Sequence, residues 1–107
     1  MTVKNIFADL PEASAEEELT DLFARPGLRI ERIVSTGQAS PPGFWYDQAH
    51  DEWVIVLSGA AGLAVEGEAE MQLQPGDYVY LPAHTRHRVT WTDATTPTVW
   101  LAVHVGE

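Results

Sequence analysis

Glu52-Trp53-Val54-Ile55-Val56-Leu57-Ser58-Gly59 decides the fold of this chain, read together with Pro75-Gly76-Asp77 and Pro82-Ala83-His84-Thr85-Arg86-His87. A glutamate opens a strongly apolar strand that stops at a glycine. A second strand starts after Pro-Gly-Asp, and a histidine follows Pro82 five residues on. Polar groups at the ends of apolar strands are how a small β-barrel gathers a carboxylate and an imidazole into one pocket. Trp53–Leu57 and Val99–Val103 are apolar on both faces, so each expects cover on both sides, from the N-terminal segment or from another subunit. Ala69-Glu70-Met71-Gln72-Leu73 alternates, which leaves one face wet.

Short β segments are expected at 44–48, 52–57, 61–66, 69–73, 78–81, 87–92 and 98–105. Gly59, Gly67, Pro75-Gly76, Pro82 and Asp93-Ala94 punctuate them. Many short strands with regular turns predict an all-β sandwich or barrel. Leu28–Val34 is a further strand candidate, and residues 1–13 read as an arm with a short strand near Ile6-Phe7. Ser14 followed by Glu17 has the form of a capping box, and Leu19, Leu22 and Phe23 fall on one helical face. A short N-terminal helix from Ala15 to Ala24, stopped by Pro26-Gly27, is therefore expected. Glu16-Glu17-Glu18, with Glu12 and Asp21, reads as its solvated face.

A chain of 107 residues implies one domain, with residues 1–36 as arm, helix and first strand and 37–107 as the core. Sixteen acidic and six basic residues give a formal charge of -10, which disfavours nucleic acid as a partner. No apolar run reaches membrane-spanning length, and Met1–Asn5 lacks the layout of a signal peptide, so no membrane partner and a cytoplasmic address are expected. Cysteine is absent, which excludes disulfides, thiolate catalysis and cysteine-based metal sites. Ser35, Ser40 and Ser58 lack a nucleophile-elbow context.

These residues resemble the cupin superfamily. Its first motif, G-x5-H-x-H-x3,4-E-x6-G, is matched by Glu52 and Gly59, with Val56-Leu57 between them. Its second, G-x5-P-x-G-x2-H-x3-N, is matched by Gly76, Pro82 and His87. The resemblance spans residues 37–105. It implies a double-stranded β-helix of jelly-roll type, often dimeric and often holding a metal at the barrel mouth. The departures are specific. Tyr46 and Gln48 stand where the first-motif histidines belong, and the longer spacer puts Trp45 and Asp47 there instead. His84 replaces a glycine, and Trp91 replaces the asparagine.

Strand parity offers a replacement set. If residues 46–52 stay extended, Tyr46, Gln48, His50 and Glu52 share one face. His50, Glu52 and His87 would then converge on a divalent iron, manganese, nickel or zinc ion, with Gln48 adding a neutral oxygen. Tyr46 and His84 would move protons. A turn at Ala49-His50-Asp51 would instead send His50 to solvent and leave a metal-free pocket around a Glu52–His87 pair. His104 shares parity with Trp100 and Ala102 and reads as a satisfied core or interface histidine. Trp53 and Trp100 read as core or interface, while Trp45 and Trp91 flank the pocket. Arg86 and Arg88 read as structural ion pairs or as rim cations that recruit an anion.

The expected protein is a homodimer that binds a small molecule. It is either a metal-dependent oxygenase, isomerase or lyase, or a metal-free binding or sensor module, or a detoxification or storage protein without turnover.

Overall fold

The computed structural model describes residues 1–107. Eight strands follow one another: β1 (Glu18–Arg25), β2 (Leu28–Ser35), β3 (Asp51–Ser58), β4 (Ala61–Val65), β5 (Met71–Leu73), β6 (Tyr78–Leu81), β7 (His87–Thr92) and β8 (Thr98–Val105). They form two antiparallel sheets, one ordered β1-β2-β8-β3-β6 and the other β5-β4-β7.

The sheets meet through their inward residues. Val54 and Val56 of β3, Leu81 of β6, and Trp100 and Ala102 of β8 pack with Ala61, Leu63 and Val65 of β4 and Leu73 of β5. The alternation along β3 makes this necessary. Glu52, Val54 and Val56 are buried, while Trp53, Ile55 and Leu57 point to the other face and are half-buried. Outside, the Trp53 ring packs against that of Tyr78, tilted by 38° with centroids 5.4 Å apart. The N-terminal arm covers part of this outer face through Arg32, whose Nη1 donates to the carbonyls of Ile6 and Ala8.

No helix forms, so the expected Ala15–Ala24 helix is corrected to strand β1. Its spacing of Leu19, Leu22 and Phe23 fits a helix face, yet it equally fits a strand with a bulge. β1 pairs with β2 from Glu18↔Val34 to Arg25↔Leu28, and the register shifts between Asp21 and Phe23. Seven paired positions of ladder outweigh a weak local preference. The apolar pattern does not mark a core face either, since Leu19 remains 61% exposed. Ser14 accepts from the Glu16 amide in a local turn, not a capping box. The acidic run is not a solvated helix face: Glu18 pairs with Arg32 at 2.6 Å, and Glu17 accepts from the Ser35 hydroxyl. The strand expected near Ile6-Phe7 is a turn, and that expected at 44–48 shrinks to a bridge between Tyr46 and His87.

The β3–β4 hairpin turns at Gly59, whose φ is +78°. A Cβ there would stand 2.6 Å from Thr98 Cα and 2.9 Å from Thr98 Cβ. Gly59→Ala therefore combines left-handed strain with a backbone clash, and it is expected to destabilise the protein by roughly 2–3 kcal/mol. Thermal unfolding checks this, with a melting temperature lowered by about 10 °C or more as the expected result.

Candidate functional site

A cavity of about 240 Å³ opens between the sheets. Its deep walls are apolar, from Ile33, Val54, Leu63, Leu81, Val89 and Trp100. Its polar side carries Glu17, Arg29, Glu31, Tyr46, Gln48, Glu52, His87 and His104.

The loop before β3 supplies Tyr46 and Gln48 because it is tied to β7 and to the turn before it. The Tyr46 amide donates to the His87 carbonyl at 2.7 Å, and the His87 amide returns the bond at 3.1 Å. The His84 amide donates to the Gln48 carbonyl at 2.6 Å. The Tyr46 ring then stacks on the His87 ring, with centroids 5.4 Å apart and planes at 24°. Burial, followed by the charges of Glu17, Glu52 and Glu31, raises the Tyr46 phenol above its ordinary value of 10.0. The phenol therefore keeps its proton and acts as a donor.

Glu52 and His87 face each other from opposite sheets. They are 7% and 6% exposed. His87 Nδ1 lies 2.8 Å from the Thr85 carbonyl. A carbonyl only accepts, so Nδ1 carries a proton; in the neutral form of the ring Nε2 is then bare, and it faces Glu52 Oε1 at 3.9 Å. That distance is too long for a hydrogen bond. Two lone-pair-bearing atoms so placed repel each other and attract a cation. One ion with bonds of about 2.0–2.2 Å can span them. The backbone bond that orients His87 is the support a metal-ligating imidazole needs, and Gln48 lines the same cavity. Glu52, His87 and Gln48 are thus the candidate cation donors of the cavity.

The other expected site residues fall elsewhere. The chain bends at Ala49-His50, which breaks the parity that would have aimed His50 at Glu52 and His87. His50 instead points its Nε2 at His104 Nδ1, 2.9 Å away. His84 is also displaced from the expected set. It adopts a left-handed φ of +63°, its side chain is 69% exposed, and its Nδ1 pairs with Asp47 at 2.8 Å. Trp45 lies under Arg86 outside the cavity, and Trp100 supplies the indole wall instead of Trp45 or Trp91. Arg86 pairs with Glu66, and Arg88 donates to the Ser40 and Pro41 carbonyls.

Sequence reasoning missed Glu17, Arg29, Glu31 and the cavity position of His104. The signal was present on β2, where Arg29, Glu31 and Ile33 alternate onto one face. His104 is a satisfied buried histidine, as expected, and it also lines the cavity. Its Nε2 meets Glu31 Oε1 at 3.1 Å. Arg29 donates to Glu31 at 2.8 Å and grips both oxygens of Glu107, also at 2.8 Å. The Arg29 hydrogen bond holds the Glu107 carboxyl down to about 2. The Trp100 indole N–H donates to Ser35 Oγ, which in turn donates to Glu17.

A cupin domain family model matches residues 32–104. The chain belongs to the cupin family. A crystal structure from Ralstonia eutropha JMP134, provisionally assigned as a mannose-6-phosphate isomerase, is 55% identical to this cupin. The match covers 100% of both chains, with a TM-score of 0.97. A cupin superfamily protein of Desulfitobacterium hafniense DCB-2 shares the fold at 17% identity and a TM-score of 0.78, covering 100% of this chain and 94% of its own. The acireductone dioxygenase of Bacillus anthracis is 28% identical over 89 residues, 72% of this chain and 52% of its own length. That of Exiguobacterium sibiricum is 30% identical over 87 residues, 70% of this chain and 49% of its own. The chain thus spans about half the length of the curated relatives it matches.

The Glu31–His104 pair has a pH consequence. The hydrogen bond from His104, followed by the charge of Arg29, lowers the Glu31 carboxyl below its ordinary value of 4.5. Folding therefore favours the ionised form. The resulting stability is full above about pH 4.5 and is lost as pH falls through the lowered value. Glu31→Gln is expected to reduce stability at neutral pH and to flatten its decline in acid. Urea unfolding at a series of pH values checks this, and an acid slope unchanged from wild type would remove Glu31 as a cause.

Proposed function

We propose that this cupin binds a divalent transition metal on Glu52 and His87, with Gln48 as a neutral oxygen ligand, and presents it to a small organic molecule in the cavity. The observation that carries this reading is the buried, unbonded approach of Glu52 Oε1 to His87 Nε2, with the other imidazole nitrogen fixed by Thr85. Iron, manganese, nickel and zinc all suit a mixed carboxylate and imidazole set. Bound there, such an ion would act as a Lewis acid toward a carbonyl or hydroxyl oxygen of the ligand.

The protein's own groups define the ligand's surroundings. Tyr46 offers a phenolic proton beside His87, and Trp100, Leu63 and Val89 exclude water from the apolar end. Three carboxylates, Glu17, Glu31 and Glu52, share the wall with one guanidinium, Arg29, already committed to Glu31 and Glu107. That balance favours a neutral carbonyl or polyhydroxy compound over a phosphorylated one. The names of the relatives, an isomerase of a sugar phosphate and a dioxygenase, both suit chemistry on a small oxygenated molecule. The charge balance argues against carrying the phosphate over to this chain.

The proposal includes a homodimer. Trp53, Ile55, Tyr78, Tyr80, Leu101 and Val103 form an outer face without a charge among them. A second copy can meet this uncharged patch, with Arg32 beside Leu101 and Asp51 beside Tyr80 at its border.

Metal analysis of untagged protein tests the central claim. Wild type is expected to hold metal, and Glu52→Gln and His87→Ala are each expected to lose about one equivalent with the near-UV circular dichroism unchanged. Unaltered metal content in both variants would leave the metal-free ligand module as the surviving reading.

A further inference from the structure

A second group of ligand atoms converges beside the cavity, where β2, β8 and β3 run side by side. His104 is 3% exposed, and its Nε2 faces Glu31 Oε1. A carboxylate accepts, so Nε2 carries the proton and Nδ1 is bare in the neutral ring. That bare nitrogen faces His50 Nε2 at 2.9 Å. Glu107 Oε2 lies 3.6 Å from the same His50 nitrogen. The three ligand atoms all lie within 4.8 Å of one another.

We propose that His50, His104 and Glu107 form a second divalent-cation site, of zinc-binding chemistry, separate from the Glu52–His87 pair. Three observations support it. The His50 and His104 nitrogens, 2.9 Å apart, need open by only about 0.4 Å to reach the separation of two nitrogens bound tetrahedrally at about 2.0–2.1 Å. The far nitrogen of His104 is held by a carboxylate, the arrangement that fixes the tautomer and raises the basicity of a metal-ligating histidine. The local charge also asks for a cation, because Asp21, Glu31 and Glu107 surround a single Arg29. A direct imidazole–imidazole hydrogen bond explains the 2.9 Å contact alone. It does not account for the surplus negative charge, and Arg29, which grips Glu107, holds a third ligand atom 3.6 Å from the same His50 nitrogen. Two imidazoles and one carboxylate leave a fourth position for water or a ligand, as zinc prefers.

The test uses the His87→Ala variant, untagged and stripped of metal, titrated with Zn²⁺ alone, so that the cavity pair is already broken. It is expected to bind about one equivalent and to move the imidazole nitrogen resonances of both His50 and His104. Adding His50→Ala is expected to weaken that binding by about 100-fold or more. Glu107→Gln, a conservative change at an exposed position, is expected to weaken it by about tenfold. A His87→Ala protein that takes up no zinc, or one whose zinc binds as tightly after His50→Ala, overturns the site. The cavity reading fails separately, if His87→Ala made in a His50→Ala background removes no metal.

Discussion

The register of β8 between β2 and β3 is the constraint on which the rest of the site depends. His104 on β8 stands opposite Arg29 on one side and Glu52 on the other. Three polar side chains therefore lie in a row across three adjacent strands. Directly opposed residues in an antiparallel sheet have Cβ atoms about 4.5–5.5 Å apart, close enough to link polar groups without water. A slip of one residue along β8 would turn His104 outward and bring Val103 in. The same slip would expel Trp100 and Ala102 from the core. Apolar packing therefore fixes the polar row, and the row needs no separate device to hold its alignment.

Placing that row indoors has an electrostatic cost, and its pairing pattern offsets the cost. Glu31, Arg29, His104 and Glu107 form one connected set in which each charge has an oppositely charged or hydrogen-bonding neighbour. Breaking a buried pair leaves an uncompensated charge, which is far worse than never having buried it. Glu17 is handled differently. It receives the Ser35 hydroxyl, which is itself oriented by the Trp100 indole, so a neutral relay takes the place of a counter-ion. Glu52 has the least internal compensation of the three cavity carboxylates, since its Oε1 meets only the His87 imidazole, at 3.9 Å. The cavity is thus most receptive to positive charge at Glu52.

The β-rich architecture was legible because the strand patterns after residue 50 are strong. β6, β7 and β8 run as the alternation and turn residues predict, and Glu52 and His87 end on facing sheets as the two motifs imply. The N-terminal third was harder to read. In β1 the bulge between Asp21 and Phe23 imitates helical spacing, and an edge strand exposed on both faces gives no clean alternation. Half of the polar cavity was hidden for a related reason. Arg29, Glu31 and Glu17 look like ordinary surface charges until β2 is known to lie beside β8. The alternation of Arg29 and Glu31 with Ile33 marks a shared face, but the neighbourhood that gives that face its meaning joins residues more than 60 positions apart.

One short bend decides how the imidazoles are shared. Positions 46 and 48, where the cupin motif carries histidines, hold a phenol and an amide, which are weak donors to a metal. Had residues 46–52 run as an unbroken strand, His50 would have entered the cavity beside Glu52 and made good part of that loss. The bend at Ala49-His50 directs it to His104 instead. The bend is supported from the far side, because Asp51 accepts from the Ala83 amide and the His84 amide bonds the Gln48 carbonyl. The Pro82–Thr85 turn thereby sets the path of the loop that carries His50. Its backbone, more than the His84 side chain for which the sequence singles it out, is what ties the second motif to the first.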